Sequence, residues 1–343
     1  MNLPVLDSTD LTRKRVFLRA DIDVPLKTSE QITTITDEAR LRDIWPTVEY
    51  LLKQNCDVIL AGHLGRPEGK VDLGLSSKPV ADWFSNKTHG QISNYAFSPT
   101  VKGFLVTPNL VVLENLRFNP GEEANDEGLA KELASLAEVY INESFAACER
   151  EHASIVGVPK FLPHFAGFRL AKEVAELSKL LDNPEKPFLG IIGGAKAETK
   201  IPVIKELSKV ANDVIVGGKL LSEISSTEMA ANVHLLQLTP DSKDCTQPSV
   251  DSYMNLIQSA KTIVWNGPVG MVEDFTYQVG TRRLAELVAA NSTAYKIVGG
   301  GDTVAFLDKL GLTEKFNWVS SGGGSMLKLL SGEKLPGVEA LLA

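Results

Sequence analysis

Cysteine is scarce in this chain: Cys56, Cys148 and Cys245, odd in number and never in a C-x-x-C pair. That excludes a disulfide framework and a zinc cage and points to a reducing, cytoplasmic setting. Histidine is equally thin, and His63 and His152 lack metal-ligand spacing, which argues against histidine ligation. Positive charge is in deficit, 35 Lys and Arg against 43 Asp and Glu for a net −8, so nucleic acid is not an expected partner. No apolar run approaches the ~20 residues of a spanning helix, so no membrane partner is expected either. The opening MNLPVLDSTD lacks the basic-then-apolar plan of a signal peptide. Several motifs are also missing. Gly69–Lys70 and Gly218–Lys219 lack the spacing and hydroxyl of a Walker A loop, no G-x-G-x-x-G follows a first strand, and protein-kinase signatures are absent.

Glycine, by contrast, is clustered. In KIVGGGDTVAF (296–306) a β-prone run meets Gly299, Gly300 and Gly301, then Asp302 and Thr303 open a helix-like stretch. Glycines between strand and helix let backbone N–H groups turn inward, and a helix N-terminus adds partial positive charge; both suit a phosphate. Asp302 at the mouth is an acceptor-only oxygen ligand of the kind Mg²⁺ takes beside nucleotide phosphates. A second cluster, NWVSSGGGSMLKLL (317–330), ends a strand at Gly322, Gly323 and Gly324, with Ser325 placed to cap the next helix. One such cluster reads as well as an ordinary turn; two so close, one carrying Asp-Thr, read as phosphate loops. Lys196 and Lys200, one turn apart after Gly193–Gly194, read as phosphate ligands against the alternative of a wet helix face. Arginine, which grips phosphate and carboxylate bidentately, is concentrated in the first half. Arg13, Arg15 and Arg42 read as solvated charge. Arg40, Arg66, Arg117 and Arg150 fall at element ends or in loops after strands, where sites gather.

At 343 residues, 43% hydrophobic and 23% charged, the chain suits two soluble domains, each with its own core. Residues 15–26 read as a buried strand broken by Pro25, with Asp21 and Asp23 alternating onto one face. Residues 37–55 have helical spacing capped by Asp37, and residues 126–140 read as an amphipathic helix. Apolar strands open the stretches 56–70 and 110–118 and recur in 187–194, 213–218, 232–241 and 260–270, several of them ending in polar or glycine-rich loops. Residues 166–184 form a connecting helix, and residues 222–256 are the least patterned. Strands alternating with helices predict parallel sheets covered on both faces, with ligands past the strand ends.

Eight blocks together resemble the phosphoglycerate kinase family along nearly the whole length. They are R-A-D-I-D-V-P (19–25), H-L-G-R-P (63–67), E-N-L-R-F (114–118), R-E-H-A-S (150–154), G-G-A-K-A-E-T-K (193–200), W-N-G-P-V-G (265–270), G-G-G-D-T (299–303) and S-S-G-G-G-S (320–325). The resemblance implies an α/β protein of two doubly wound parallel-sheet, Rossmann-like domains flanking a cleft. Residues 1–168 would bind phosphoglycerate, residues 169–184 would connect, residues 185–327 would bind adenine nucleotide, and the tail 328–343 would pack back onto the first domain. The implied reaction is reversible phosphoryl transfer between 1,3-bisphosphoglycerate and Mg-ADP, in a monomer that needs Mg²⁺. By position, Asp21, Asp23, Arg40, His63, Arg66, Arg117 and Arg150 would line the phosphoglycerate site, Arg40 orienting the reacting carboxyl. Lys196 and Lys200 would hold nucleotide and transferring oxygens, and Asp302 the magnesium. Gly194, Gly217, Gly218, Asn266, Pro268, Gly300, Thr303, Gly322 and Gly323 would form the nucleotide pocket, with Glu273 at the ribose. Gly301 and Gly324 would offer N–H donors to the phosphoryl in flight, making Arg40, Lys200, Gly301 and Gly324 the catalytic set. A carboxylate acceptor needs no general base, which suits the absence of a base–nucleophile pair.

The chain departs from the family pattern at several points. Asp23 replaces an asparagine, Glu149 a histidine and Glu151 a small residue, and N-E-S-F-A-A stands for N-D-A-F-G-T. Lys219 replaces a third glycine after Gly217–Gly218, residues 219–247 are fewer, and C-T-Q-P (245–248) replaces D-I-G-P. Acidic changes beside a polyanion weaken its grip, by about 1 kcal/mol or more for a like charge at contact. Two alternatives stay open: a catalytically impaired relative that binds nucleotide or a protein partner, and a kinase for a different carboxylate.

Overall fold

Short runs of valine, isoleucine and leucine, buried on both faces, make the central strands, as parallel sheets require. The computed structural model describes residues 3–29, 32–224 and 229–343. They divide into two compact units: the chain up to Val174 together with Leu335–Ala343, and Ala175–Lys334. The first boundary falls inside the helix Phe168–Asp182.

The first unit contains β1 (Arg15–Arg19), β2 (Leu26–Ser29), β3 (Ile32–Ile35), β4 (Asp57–Ala61), β5 (Ser93–Ala96), β6 (Lys102–Thr107), β7 (Leu110–Leu113), β8 (Val139–Asn142) and β9 (His164–Ala166). Its sheet runs β5-β6-β7-β4-β1-β8-β9, parallel from β7 to β9 and antiparallel at the β5-β6-β7 edge. The β2-β3 hairpin stands apart. The second unit contains β10 (Phe188–Ile192), β11 (Asp213–Val216), β12 (Val233–Leu235), β13 (Thr262–Asn266), β14 (Tyr295–Gly299) and β15 (Trp318–Val319). These six are wholly parallel, in the order β12-β11-β10-β13-β14-β15.

In each unit the chain starts mid-sheet, builds outward one way, then returns to build outward the other. The second unit has the dinucleotide-fold strand order although the sequence lacks that fold's glycine fingerprint, because right-handed crossovers set the order and glycines only tune the loop. Ligands collect where the order reverses, at β1/β8 and at β10/β13.

Four sequence expectations need correction. The strand expected over 15–26 ends at Arg19, so Asp21 and Asp23 lie in the loop beyond it rather than on one strand face. The helix expected over 126–140 covers only Glu127–Ala134; Val139 and Tyr140 belong to β8, where pairing with β1 outweighs helical spacing. The first sheet is mixed, since β5 and β6 fold back antiparallel at its edge. Weak patterning at 222–256 hid the short helices Gln247–Asp251 and Met254–Ser259, and of the strand segment expected at 232–241 only Val233–Leu235 is strand; residues 225–228 lie outside the described residues.

Gly193 follows β10 at the second reversal, where its N–H meets the Asn266 carbonyl at 2.9 Å. A Cβ there would lie 2.3 Å from the Pro268 oxygen and 2.4 Å from the Gly267 oxygen, both backbone atoms that cannot swing aside. Gly193→Ala is therefore expected to lower stability by about 1–3 kcal/mol. A urea titration checks this; an unchanged midpoint would show that the two loops separate freely.

Candidate functional site

At the first reversal, loops after β1, β4, β7 and β8 carry the cations. Arg19 closes β1 with no solvent exposure. Its Nε donates to Ser154 Oγ at 2.8 Å, one Nη to the Ala20 carbonyl at 2.6 Å, and the other meets His63 Nδ1 at 3.0 Å. Arginine only donates, so the shorter of the two arginine contacts to the neutral His63 ring makes Nδ1 the acceptor and assigns the proton to Nε2. That nitrogen lies 3.8 Å from Asp23 Oδ2 and 3.4 Å from an Arg150 Nη. Burial, then Arg19, Arg117 and Arg150, hold the His63 pKa well below its usual value. Burial and the same three arginines bring His152 down to about 3. Both imidazoles are neutral near pH 7.

Arg117 is buried, donates to the Gly65 carbonyl at 2.6 Å and lies 3.1 Å from Glu123. Burial and the neighbouring Arg150 still lower its pKa, outweighing Glu123. Glu122, wholly buried, accepts the Ser154 hydroxyl at 2.6 Å and its N–H at 3.0 Å, one hydroxyl away from Arg19. Arg40, near the start of the helix Ala39–Lys53, holds both Asp21 oxygens at 2.7 and 2.6 Å. Asp21 outweighs burial and raises the Arg40 pKa. Asp23 Oδ1 accepts the Gly65 N–H at 2.9 Å, Glu149 lies 3.8 Å from Arg150 Nε, and Arg66 is exposed. Asp21, Asp23, Arg40, His63, Arg117 and Arg150 thus belong to one bonded neighbourhood.

The tail closes this site from behind. Gly337 donates to the Cys148 carbonyl at 2.9 Å. A Cβ at 337 would lie 2.8 Å from Ile155 Cγ2 and 2.9 Å from Cys148 Cα. Those two residues bracket the segment carrying Arg150 and His152.

At the second reversal, Lys200 projects from the first turn of the helix Ala197–Val210 and bonds the Asn266 side-chain oxygen at the end of β13. Burial lowers its pKa to about 8, with Asp302 pulling weakly the other way. Gly194 donates to the Pro268 carbonyl at 2.8 Å, Gly218 to Cys245 Sγ at 3.3 Å, and Gly267 to Thr303 Oγ1 at 3.1 Å. Gly194, Gly218 and Gly300 have φ of 109°, 86° and 95°, which a side chain would strain. Gly217 packs tightly on Val269.

The helix Gly301–Lys309 starts directly after β14, and its first bond runs from Val304 N to the Gly300 carbonyl. The N–H groups of Gly301, Asp302 and Thr303 therefore lack intrahelical partners. The helix Gly323–Leu330 does the same for Gly323, Gly324 and Ser325. A Cβ on Gly323 would lie 3.3 Å from Gly300 Cα, so the two glycine loops touch. Gly322, not Ser325, is the N-cap; Ser325 lies buried inside the helix because that helix begins three residues earlier than its hydroxyl suggested. Lys196 and Glu273 are exposed at the site's margin.

Among the described residues no three His, Cys, Asp or Glu side chains gather as a metal cage. The exposed Asp302 carboxylate at a helix N-terminus fits a Mg²⁺ ion that takes its other oxygens from nucleotide and water. The sequence reading assigned nothing to Arg19, Glu122 or Ser154. An arginine ending an otherwise apolar strand was the available signal.

A cationic anion site and an amide-rich phosphate site, each at a sheet reversal, define the class: a phosphotransferase acting on a small acid. The family model described as phosphoglycerate kinase matches residues 6–233 and 222–333, its two segments overlapping in the weakly patterned stretch. A phosphoglycerate kinase of Herpetosiphon aurantiacus is 36% identical over 396 aligned positions, covering 99% of each chain. The solved phosphoglycerate kinase of Coxiella burnetii has TM-score 0.82 and 34% identity over 99% of each chain. That of Pyrococcus horikoshii, at 23% identity and TM-score 0.83 over 99% of this chain and 98% of its own, supports the fold. The chain belongs to the phosphoglycerate kinase family.

Two outcomes follow from the geometry. Gly337→Ala is expected to raise KM for phosphoglycerate about tenfold, the equivalent of roughly 1.4 kcal/mol, while nucleotide KM holds. Steady-state kinetics decide, and equal changes in both constants would make the tail merely structural. Lys200 loses its charge as pH rises through about 8, so Mg-ADP affinity is expected to fall on the alkaline side. Calorimetry from pH 7 to 9 measures it; a flat profile would mean the lysine charge does not hold phosphate.

Proposed function

We propose that the chain catalyses reversible phosphoryl transfer between 1,3-bisphosphoglycerate and Mg-ADP, giving 3-phosphoglycerate and Mg-ATP, as a soluble monomer in the cytoplasm. The reading rests on one observation above others. Burial, with Arg19, Arg117 and Arg150 alongside, keeps two imidazoles neutral, so the three guanidinium groups carry a positive potential that a phosphorylated acid relieves. In this reading the first domain, with the tail from Leu335, takes phosphoglycerate on Arg66, Arg117 and Arg150 with His63, while Arg40 orients the carboxyl. The second, 185–327, takes nucleotide on Lys196, Lys200, Asp302 and the glycine amides, with Glu273 at the ribose. Magnesium would neutralise phosphate charge. In-line transfer after hinge closure along 169–184 needs positioning and electrostatics rather than a base.

A coupled assay with Mg-ATP and 3-phosphoglycerate tests the proposal. Turnover is expected, with losses of about 10²–10³ in kcat for Arg40→Ala and for Lys200→Ala. Chelation of magnesium should remove it. Background rates insensitive to both substitutions would reject the enzyme in favour of a binding-only relative. Because Glu149 lies near Arg150 and Asp23 near His63, a different carboxylate is the second reading, and a panel of hydroxy acids in the same assay separates the two.

A further inference from the structure

A cavity of about 370 Å³ opens in the first unit beside the Asn115–Asn119 turn. That volume falls within the ~300–1,000 Å³ of small-molecule sites. Its walls are mainly apolar, from Val101, Leu113, Leu116, Phe118, Leu129 and Leu133, and Val71 at its edge is 72% exposed.

The polar groups lining it are asymmetric. The side-chain acceptors of Glu114, Asn115 and Asn119 are engaged. The Glu114 carboxylate takes the Ser76 hydroxyl at 2.8 Å and the N–H groups of Ser77 and Asn115 at 2.6 and 2.9 Å. The Asn115 oxygen takes the Arg117 N–H at 3.1 Å, and the Asn119 oxygen the Gly121 N–H at 2.9 Å. The Thr100 hydroxyl donates to Glu132 at 2.5 Å. What remains is donors: the Asn119 amide nitrogen and the exposed Lys102 ammonium have no hydrogen-bond or ion-pair partner among the described residues. A ligand completing this lining brings an acceptor-only, negatively charged head and an apolar body.

We propose that this cavity binds a small apolar carboxylate, its head on Lys102 and Asn119 and its body against Leu116, Phe118 and Leu133. The test is calorimetry on the full chain with 4-phenylbutyrate and its neutral counterpart 4-phenylbutanol. Saturating 3-phosphoglycerate keeps the acid off the arginine cluster. The acid is expected to bind about tenfold more tightly than the alcohol. Lys102→Met should bring the two to parity. Asn119→Asp keeps the oxygen that takes the Gly121 N–H but replaces the donor with an anion, so it should weaken the acid about tenfold and spare the alcohol. Failure of both probes to bind, equal binding in the parent, or a preference surviving both substitutions would overturn the proposal.

Discussion

Each site depends on a buried cation whose direct partners are neutral. An unpaired buried charge is heavily disfavoured, yet a carboxylate in contact would cancel the charge that an anionic substrate needs. Arg19 resolves this with a hydroxyl, a carbonyl and an imidazole, the nearest buried carboxylate, Glu122, lying one hydroxyl further on. Lys200 resolves it with the amide oxygen of Asn266, and burial lowers its pKa against the pull of Asp302. Arg40 follows the other rule, held by both oxygens of Asp21. That pairing fixes the guanidinium while its partial exposure leaves donors facing outward.

Backbone topology explains why these cations sit where they do. Chains leaving neighbouring strands in opposite directions open a gap at the sheet's carboxyl edge, and residues just past the strands line it. Arg19 ends β1, and His63, Arg117 and Arg150 follow β4, β7 and β8. Asn266 ends β13, and Lys200, Asp302 and Gly323 follow β10, β14 and β15. In the second unit, helix N-termini supply what arginine supplies in the first: Gly301 and Gly324 offer amide hydrogens with partial positive charge and no side chain to obstruct approach.

Much of this was legible in the sequence because strand ends announce themselves. An apolar run stopping at His63, at Glu114 or at Gly193 marks both a buried strand and the loop that carries chemistry. Glycine triplets marked the two helix starts at Gly301 and Gly323 for the same reason. What escaped were features set by distant partners. Val139 and Tyr140 continue a helical pattern locally and become strand only through pairing with β1. The β5-β6 edge is half exposed and carries no strong apolar period. Arg19 read as one arginine among many, since only the fold shows that Ser154, 135 residues on, accepts its proton. Gly337 gave no signal, because its need for hydrogen in place of a side chain arises from Cys148 and Ile155.

The acidic departures from the family pattern also look different in three dimensions. Asp23 uses Oδ1 to accept the Gly65 N–H, a bond that an asparagine oxygen makes equally well, so the loop geometry survives the exchange. The added charge falls on the other oxygen, 3.8 Å from the protonated nitrogen of His63. There it supports the tautomer that Arg19 already imposes from the opposite side. Glu149 is only partly buried and 3.8 Å from Arg150 Nε, too long for a tight bidentate clamp. The Arg150 Nη directed at His63 keeps its place beside the imidazole. Charge added at these two points therefore trims the positive potential of the site without removing an arginine from it, which is why a polyanion remains the ligand that this arrangement favours.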